Sequence, residues 1–347
     1  MKKMCPTISK IAIFWNMDDS ACKFPPLGEF LFVNDVLKGA CPLEETSPRS
    51  RFWFGAGDDC AAVDGWLVTM DMSVENSHYR LDWSTPEQAI EKFIVSNVSD
   101  ISAMGGTPRV AFLGICHNKN WDKAMRDRVA KAFSEGFASR GISLAGGDTI
   151  VGDVSFFSAT LLGTCDGKPL RRNAARPGDY VYVAGTLGKS DAGLWALMNG
   201  HADDPGLRGL VAYHLAPKIN EKMGASLVRQ GVIGACIDIS DGLSSELHHI
   251  ALSSAVRIEI EESLIPVEPA VKTAALRYGL PARKFWLDGG EEYQLLFTSS
   301  LPESIFFNAF GADAVTCIGK VVPGAGVILH GVSGEFENVK AGAWSHL

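Results

Sequence analysis

Several features that would fix a function class quickly are missing. No apolar run approaches the roughly 18 residues of a membrane-spanning helix, so the chain is not expected to associate with a membrane. There is no basic excess: 32 Lys and Arg stand against 40 Asp and Glu, a formal charge of −8. That argues against a nucleic-acid partner, which a basic patch or stripe would announce. The eight cysteines, at positions 5, 22, 41, 60, 116, 165, 236 and 317, form no C-x-x-C pair. A zinc site is therefore not expected, and reduced thiols in a cytoplasmic protein are. Repeats and low-complexity tracts are absent. The N-terminus, MKKMCPTISKIAIFW, is only superficially like a signal peptide, because Lys10 interrupts its apolar run and no small-residue cleavage site follows closely.

What the chain has is glycine and well-placed acid. Its 347 residues, 46% hydrophobic, are enough for two domains with a large core. Between Gly55 and Gly105 three pieces follow one another, GAGDDCAAV, LVTMDMSVENSHY and FIVSNVSDISAMGG. Each sets an aspartate where a strand or helix is expected to meet a turn: Asp58 and Asp59, then Asp71, then Asp100. On a helical wheel Ile90, Phe93, Ile94, Val98, Ile101 and Met104 gather on one side, with Asn97 in its middle and Asp100 at its edge. A carboxylate beside a buried face is costly unless a positive or hydrogen-bonding group meets it. A cap or ion pair explains one such acid; three successive pieces point instead to a site for Mg2+ and phosphate.

Hydrophobic periodicity predicts mixed α/β structure in both halves. Residues 28–37 read as a short helix, Leu67–Met70 as a strand, and Thr85-Pro86-Glu87 as the start of the long acidic helix. Val110–Ile115 and 154–163 are strands, flanking a helix over 122–140 stopped by Gly141. A strand at 142–144 runs into the glycine turn Gly146-Gly147-Asp148. Residues 1–26 form an extension, 27–166 a first domain and 167–347 a second. The second restarts with the strand Tyr180–Ala184 and continues through helices at 192–198, 219–230, 243–252, 271–278 and 303–310, interleaved with strands.

The turn Gly185-Thr186-Leu187-Gly188-Lys189-Ser190 misses a P-loop by one residue, since the glycine required five before Gly188 is Val183. Ile237-Asp238-Ile239-Ser240-Asp241-Gly242 is stronger: two acids three apart sit where a strand becomes a helix, and helix N-terminal donors attract anions. Capping accounts for Ser240 or Asp241 but leaves Asp238 unexplained. His78 after a turn, the basic pair Arg171 and Arg172, and Glu291 and Glu292 after two glycines each have an incidental reading, as a structural histidine, a solvated pair and surface charge.

Taken in order, these blocks resemble the thiamine-monophosphate kinases, within the superfamily of aminoimidazole ribonucleotide synthase. The resemblance is carried by GEF at 28–30, GDD at 57–59, the Asp71 segment ending in His78, NVSDISAMGGTPR at 97–109, AGGDT at 145–149 and LRRNAARPGD at 170–179. It continues with GTLGKSDAGL at 185–194, IDISDGLSSEL at 237–247 and GGEEYQLLF at 289–297. It implies a two-domain, aminoimidazole ribonucleotide synthase-like α/β fold, and ATP-dependent phosphorylation of thiamine monophosphate to thiamine diphosphate with several Mg2+ ions. It also implies a homodimer whose N-terminal domains share a barrel. Matched to the family, Asp59, Thr69, Asp71, Asp100, Asp148, Asp238 and Asp241 are the magnesium ligands. Gly147, Asp148, Arg172 and Ser240 are ATP contacts, and His78 and Glu291 substrate contacts. No side chain is expected to act as a covalent or acid–base catalyst.

The chain departs from the family at Met70, where Thr or Ser usually precedes the Asp71 equivalent, and a thioether is a poor Mg2+ ligand. A C-terminal tryptophan of the family falls on Ala341, with Trp344 nearby. Another ATP-dependent synthetase of the superfamily, or a non-catalytic nucleotide-binding protein, are the competing readings.

Overall fold

The computed structural model describes residues 54–55, 57–311 and 314–342; the helix expected at 28–37, the GEF block and Trp344 lie outside them. The first layer is a five-stranded sheet of β1 (Ala61–Val63), β2 (Trp66–Val74), β3 (Thr107–Asn118), β4 (Ser143–Gly152) and β5 (Phe156–Thr164), in the order β1-β2-β5-β3-β4. Helix α1 (Pro86–Ala103) joins β2 to β3, and α2 (Lys123–Ser139) makes the crossover that sets β3 and β4 parallel.

The start of α1 is fixed by chemistry local to the sequence. Pro86 stands in the first turn, and Thr85 and Gln88 form a reciprocal capping box. The expected apolar side, Ile90, Phe93, Ile94, Val98, Ile101 and Met104, is buried against the sheet, with Asn97 fully buried among it. Asp122 caps α2, whose Val129, Phe133 and Phe137 close the same core.

The second layer is a seven-stranded sheet. It comprises β6 (Tyr180–Ala184), β7 (Cys236–Asp238), β8 (Arg257–Glu261), β9 (Leu295–Ser299), β10 (Val315–Val322), β11 (Gly326–His330) and β12 (Phe336–Asn338), ordered β12-β11-β8-β10-β6-β9-β7. The helices are α3 (Lys189–Met198), α4 (Arg208–Leu215), α5 (Met223–Arg229), α6 (Leu243–Ser253), α7 (Pro269–Tyr278), α8 (Ala282–Leu287) and α9 (Glu303–Phe310). Residues 181–184 of β6 and 295–297 of β9 are continuous apolar runs because both faces are covered. Val183 and Leu296 pack with Leu243, Leu247 and Ile250 of α6, while Tyr182 and Phe297 pack with Phe306 of α9.

Three expectations are corrected. Strand β2 runs on to Val74, so Asp71 sits within a strand rather than at a turn. Gly146-Gly147-Asp148 is not a turn either, but the middle of β4. Gly147 is needed there for close approach, since a Cβ would fall 1.9 Å from the Leu113 carbonyl oxygen. The helix expected over 219–230 begins only at Met223, and α4, α8 and β12 went unread. All three are short elements, where periodicity carries little signal.

Candidate active site

Helix α1 carries the site. Lys92, Ser96, Ser99 and Asp100 follow the helical repeat along one side of the helix, and each lies beside a group from another element. Lys92 Nζ lies 2.6 Å from Glu291 Oε1. Ser96, whose hydroxyl donates to the Phe93 carbonyl, sits beside Asp71 and partly offsets the rise that burial imposes on that acid. Ser99 Oγ donates to Asp238 Oδ2 at 2.5 Å, and Asp100 accepts from Thr69 Oγ1 at 2.6 Å. Strand β2 alternates, so Thr69 and Asp71 share the face toward α1, whereas Met70 and Met72 project from the other and are about half exposed. The departure at Met70 therefore falls on the far side of the sheet from these acids.

Carboxylate oxygens of Asp59, Asp100 and Asp238 lie within 4.8 Å of one another. Arg172 Nη2 reaches Asp59 Oδ1 at 2.6 Å, and Asp58 takes Arg171 Nε at 3.1 Å and the Arg172 backbone N–H at 3.0 Å. The other oxygen of Asp59 is buried and has no partner. One buried guanidinium does not neutralise this many acids. Burial, reinforced by neighbouring Asp59, pushes Asp238 up to about 8. Burial and then Asp71, Asp238 and Asp59 hold Asp100 well above the carboxylate range. Burial raises Asp71 as well, and burial with Asp59 brings Asp58 up to about 6. Crowded acids with an orphaned buried oxygen are a donor set suited to a hard divalent cation such as Mg2+.

The second acidic turn closes this side. Asp238 ends β7, and Ser240, Asp241 and Gly242 lead into α6. Gly242 has φ +118°, and a Cβ there would meet the Asp288 backbone at 2.8 Å. The Asp241 backbone N–H donates to Glu246 at 3.0 Å. Glu246, unremarked in the sequence reading, is buried, and burial followed by Asp241 raises its carboxyl well above normal. The Glu291 N–H donates to Ser240 O at 2.7 Å, tying the two acidic turns together.

Glu291 stands in a second cluster. Besides Lys92, its Oε2 lies 3.5 Å from His214 Nδ1, which is 3.1 Å from Ser190 Oγ. Lys92 also donates to the His78 carbonyl at 3.4 Å, so His78 and Glu291 meet around one ammonium. Burial disfavours charge on Glu291, yet Lys92 and His214 bring its carboxyl below the ordinary value. Lys92, Ser96, Ser99 and His214 were not singled out beforehand; the polar stripe on α1 is the signal that points to the first three.

Two expected groups lie apart. Register aligns Asp148 with Gly114, Ser158 and Met72, and Gly147 with Leu113, Ala159 and Asp71. Asp148 thus belongs to the face opposite Asp71 and is exposed, outside the Asp59–Asp100–Asp238 trio. At the P-loop-like turn Gly188 caps α3, and the Ser190 N–H donates to Glu292 Oε1 at 2.9 Å. The helix end that would cradle phosphate in a P-loop is filled by the protein's own side chain. A cavity of about 230 Å³ lined by Ser102, Gly185, Asn220, Tyr293 and Gln294 contains none of the acids.

The part of the chain that forms the first sheet and α1 is similar to a known class of domain: the family model described as "AIR synthase related protein, N-terminal domain" matches residues 57–165. The whole chain narrows the class. It is 36% identical to the thiamine-monophosphate kinase of Methanopyrus kandleri over 295 residues, 84% of this chain and 89% of that one. It is 34% identical to the Mycobacterium tuberculosis thiamine-monophosphate kinase over 276 residues, 78% and 80% of the two chains. Among solved structures, AaThiL complexed with AMPPCP and TMP superposes with a TM-score of 0.77 at 28% identity, covering 93% of this chain and 97% of that one. The chain belongs to the thiamine-monophosphate kinase family.

Proposed function

We propose that this chain transfers the γ-phosphate of ATP directly onto the phosphate of thiamine monophosphate, giving thiamine diphosphate and ADP. The observation that carries this reading is the trio of Asp59, Asp100 and Asp238 on the same helix side as the Glu291–His78 cluster. That arrangement supports a candidate cation centre and a candidate acceptor site carried by one helix. Asp59, Thr69, Asp71, Asp100, Asp238 and Asp241 would hold Mg2+. Bound there, the metal supplies charge neutralisation between two anionic reactants.

The protein's own part is positioning. Phosphoryl transfer depends on alignment and electrostatics more than on covalent chemistry by side chains. An oxygen of the acceptor phosphate forms the new bond to the γ-phosphorus as the bond to the ADP oxygen breaks. That oxygen is already ionised near neutral pH, so no general base is needed. Arg172 and Ser240 are assigned to ATP, and His78 and Glu291 to the thiamine moiety. Gly147 is assigned to ATP from the row that holds Asp71, and Asp148 would act from the sheet's other face. There Met70, Met72 and Phe112 are exposed, and we place a second copy of the chain against them, as a homodimer sharing this sheet. Free thiols at Cys60, Cys116, Cys165, Cys236 and Cys317 and the need for ATP accord with a cytoplasmic location.

The test is to incubate the protein with ATP, Mg2+ and thiamine monophosphate, and to measure ADP and thiamine diphosphate together. One diphosphate per ADP and no labelled protein is the expected result. ADP release without thiamine diphosphate would overturn the assignment. Light scattering of the purified protein gives the oligomeric state.

A further inference from the structure

Lys92 has no role in the reading so far, yet its position is unusual. It lies on the buried side of α1 with its side chain 9% exposed, in the helix that also carries Asp100. A buried lysine is costly unless paired, and a buried pair seldom adds stability over apolar residues of the same volume. Stability therefore gives little reason for a lysine at this position. Its contacts give a different one. The ammonium bridges the Glu291 carboxylate at 2.6 Å and the His78 carbonyl at 3.4 Å, joining the loop after β2 to the loop before β9. Glu291 adopts φ +59°, a left-handed conformation that a non-glycine residue keeps only when its surroundings enforce it. His214, the other group on Glu291, is buried beside Ser190 and Lys92. Burial, then Lys92, brings its pKa down to about 4, leaving it uncharged near neutral pH.

We propose that Lys92 is a positioning residue of the acceptor site, acting through Glu291 and His78. It fixes the carboxylate as an anion facing the organic cation of the acceptor, and it holds that pocket at a set distance along α1 from Asp100. This rests on the assignment of Glu291 to the thiamine moiety made above. A carboxylate so held recognises a positively charged heteroaromatic ring, which makes Lys92 a determinant of acceptor binding rather than of ATP binding.

Steady-state kinetics with ATP, Mg2+ and thiamine monophosphate on Lys92→Met, Lys92→Arg, Glu291→Gln and the Lys92→Met/Glu291→Gln double variant test it. Lys92→Met should raise the acceptor KM about ten-fold or more, the order expected for leaving one member of a buried pair alone. The ATP KM should move less than about three-fold, and Lys92→Arg should recover part of the loss. Because Lys92 acts through Glu291, the double variant should be no worse than Glu291→Gln alone. If Lys92→Met does not fold, the double variant, which leaves no unpaired carboxylate, is compared with Glu291→Gln and decides in the same way. An unchanged acceptor KM in folded Lys92→Met overturns the proposal, as does a double variant whose losses add. A wild-type chain that forms no thiamine diphosphate overturns the assignment of the acceptor and this role with it. An active wild type with an unmoved Lys92→Met overturns this role alone.

Discussion

Two turns into α1, Lys92 meets Glu291; eight residues on, about 12 Å along the axis, Asp100 meets Asp59 and Asp238. Both places bury acids against the same helix, and their electrostatics run in opposite directions. Glu291 has an internal cation, and its carboxyl is held below the ordinary value. The trio shares one guanidinium, through Asp59, and Asp100 and Asp238 are pushed up. In the first cluster the polypeptide supplies the cation that keeps the acid ionised. The second has more acid than cation among the described residues, and we place the chemistry between two phosphates there.

The largest expected effect separates the two clusters directly. Asp100→Asn keeps the shape of the side chain and removes its charge, so turnover should fall by about 100-fold or more. Thermal unfolding without Mg2+ should be unchanged or shifted upward, because one repelling acid is gone. A destabilised variant that still turns over would end the metal-ligand reading of Asp100. Removing the shared cation does the reverse. Arg172→Ala leaves Asp59 buried without its cation and should cost about 3 kcal/mol or more in metal-free urea unfolding. A loss within error would mean that the guanidinium does not hold the empty cluster together.

The pH dependence sharpens the contrast. Asp238 titrates near 8 in the fold against about 3.9 unfolded, a raised folded pKa. Its contribution to stability is complete below the unfolded value and is lost as pH rises through about 8. Ionised acids bind a divalent cation better than protonated ones, so the Mg2+-induced rise in Tm should be larger at about pH 9 than at about pH 6, by a few degrees. Asp238→Asn should remove most of that difference, and a Mg2+ shift equal at both pH values would contradict the reading. The smallest effect calibrates the rest. Thr85→Ala removes the capping box at the outer end of α1 and should cost about 1 kcal/mol, with acceptor and ATP KM unchanged. A kinetic defect there would mean that the whole helix, rather than its polar stripe, governs the site.

The course of α1 was legible because its signals are local: a capping box, a proline in the first turn and an apolar side at helical spacing. Asp59, Asp100 and Asp238 were legible as acids at element ends without apolar duty. The partners that hold them were not, since Ser99 bonds Asp238 across 139 positions and Arg172 reaches back 113 to Asp59. Chain order says nothing about which distant residues meet. The face of Asp148 was equally hidden. The pairing of β3 with β4 shifts between Ala111 and Phe112, so Ala145 is accommodated as an extra residue, and that irregularity decides which side of the sheet Asp148 joins. Its glycines read as a turn because close approach between strands leaves the same signature.

The carboxyl of Glu292 at the start of α3 bears on how motifs are counted. Burial brings it up to about 8, so near neutral pH it sits there mainly as an uncharged acid accepting the Ser190 N–H. The side chain works as a permanent plug. A glycine in place of Val183 would complete a familiar signature in the text of the sequence and still create no nucleotide cradle, while removing a fully buried side chain from β6. A glutamine in place of Glu292 would serve the same purpose, because what the helix end needs is an oxygen and not a charge.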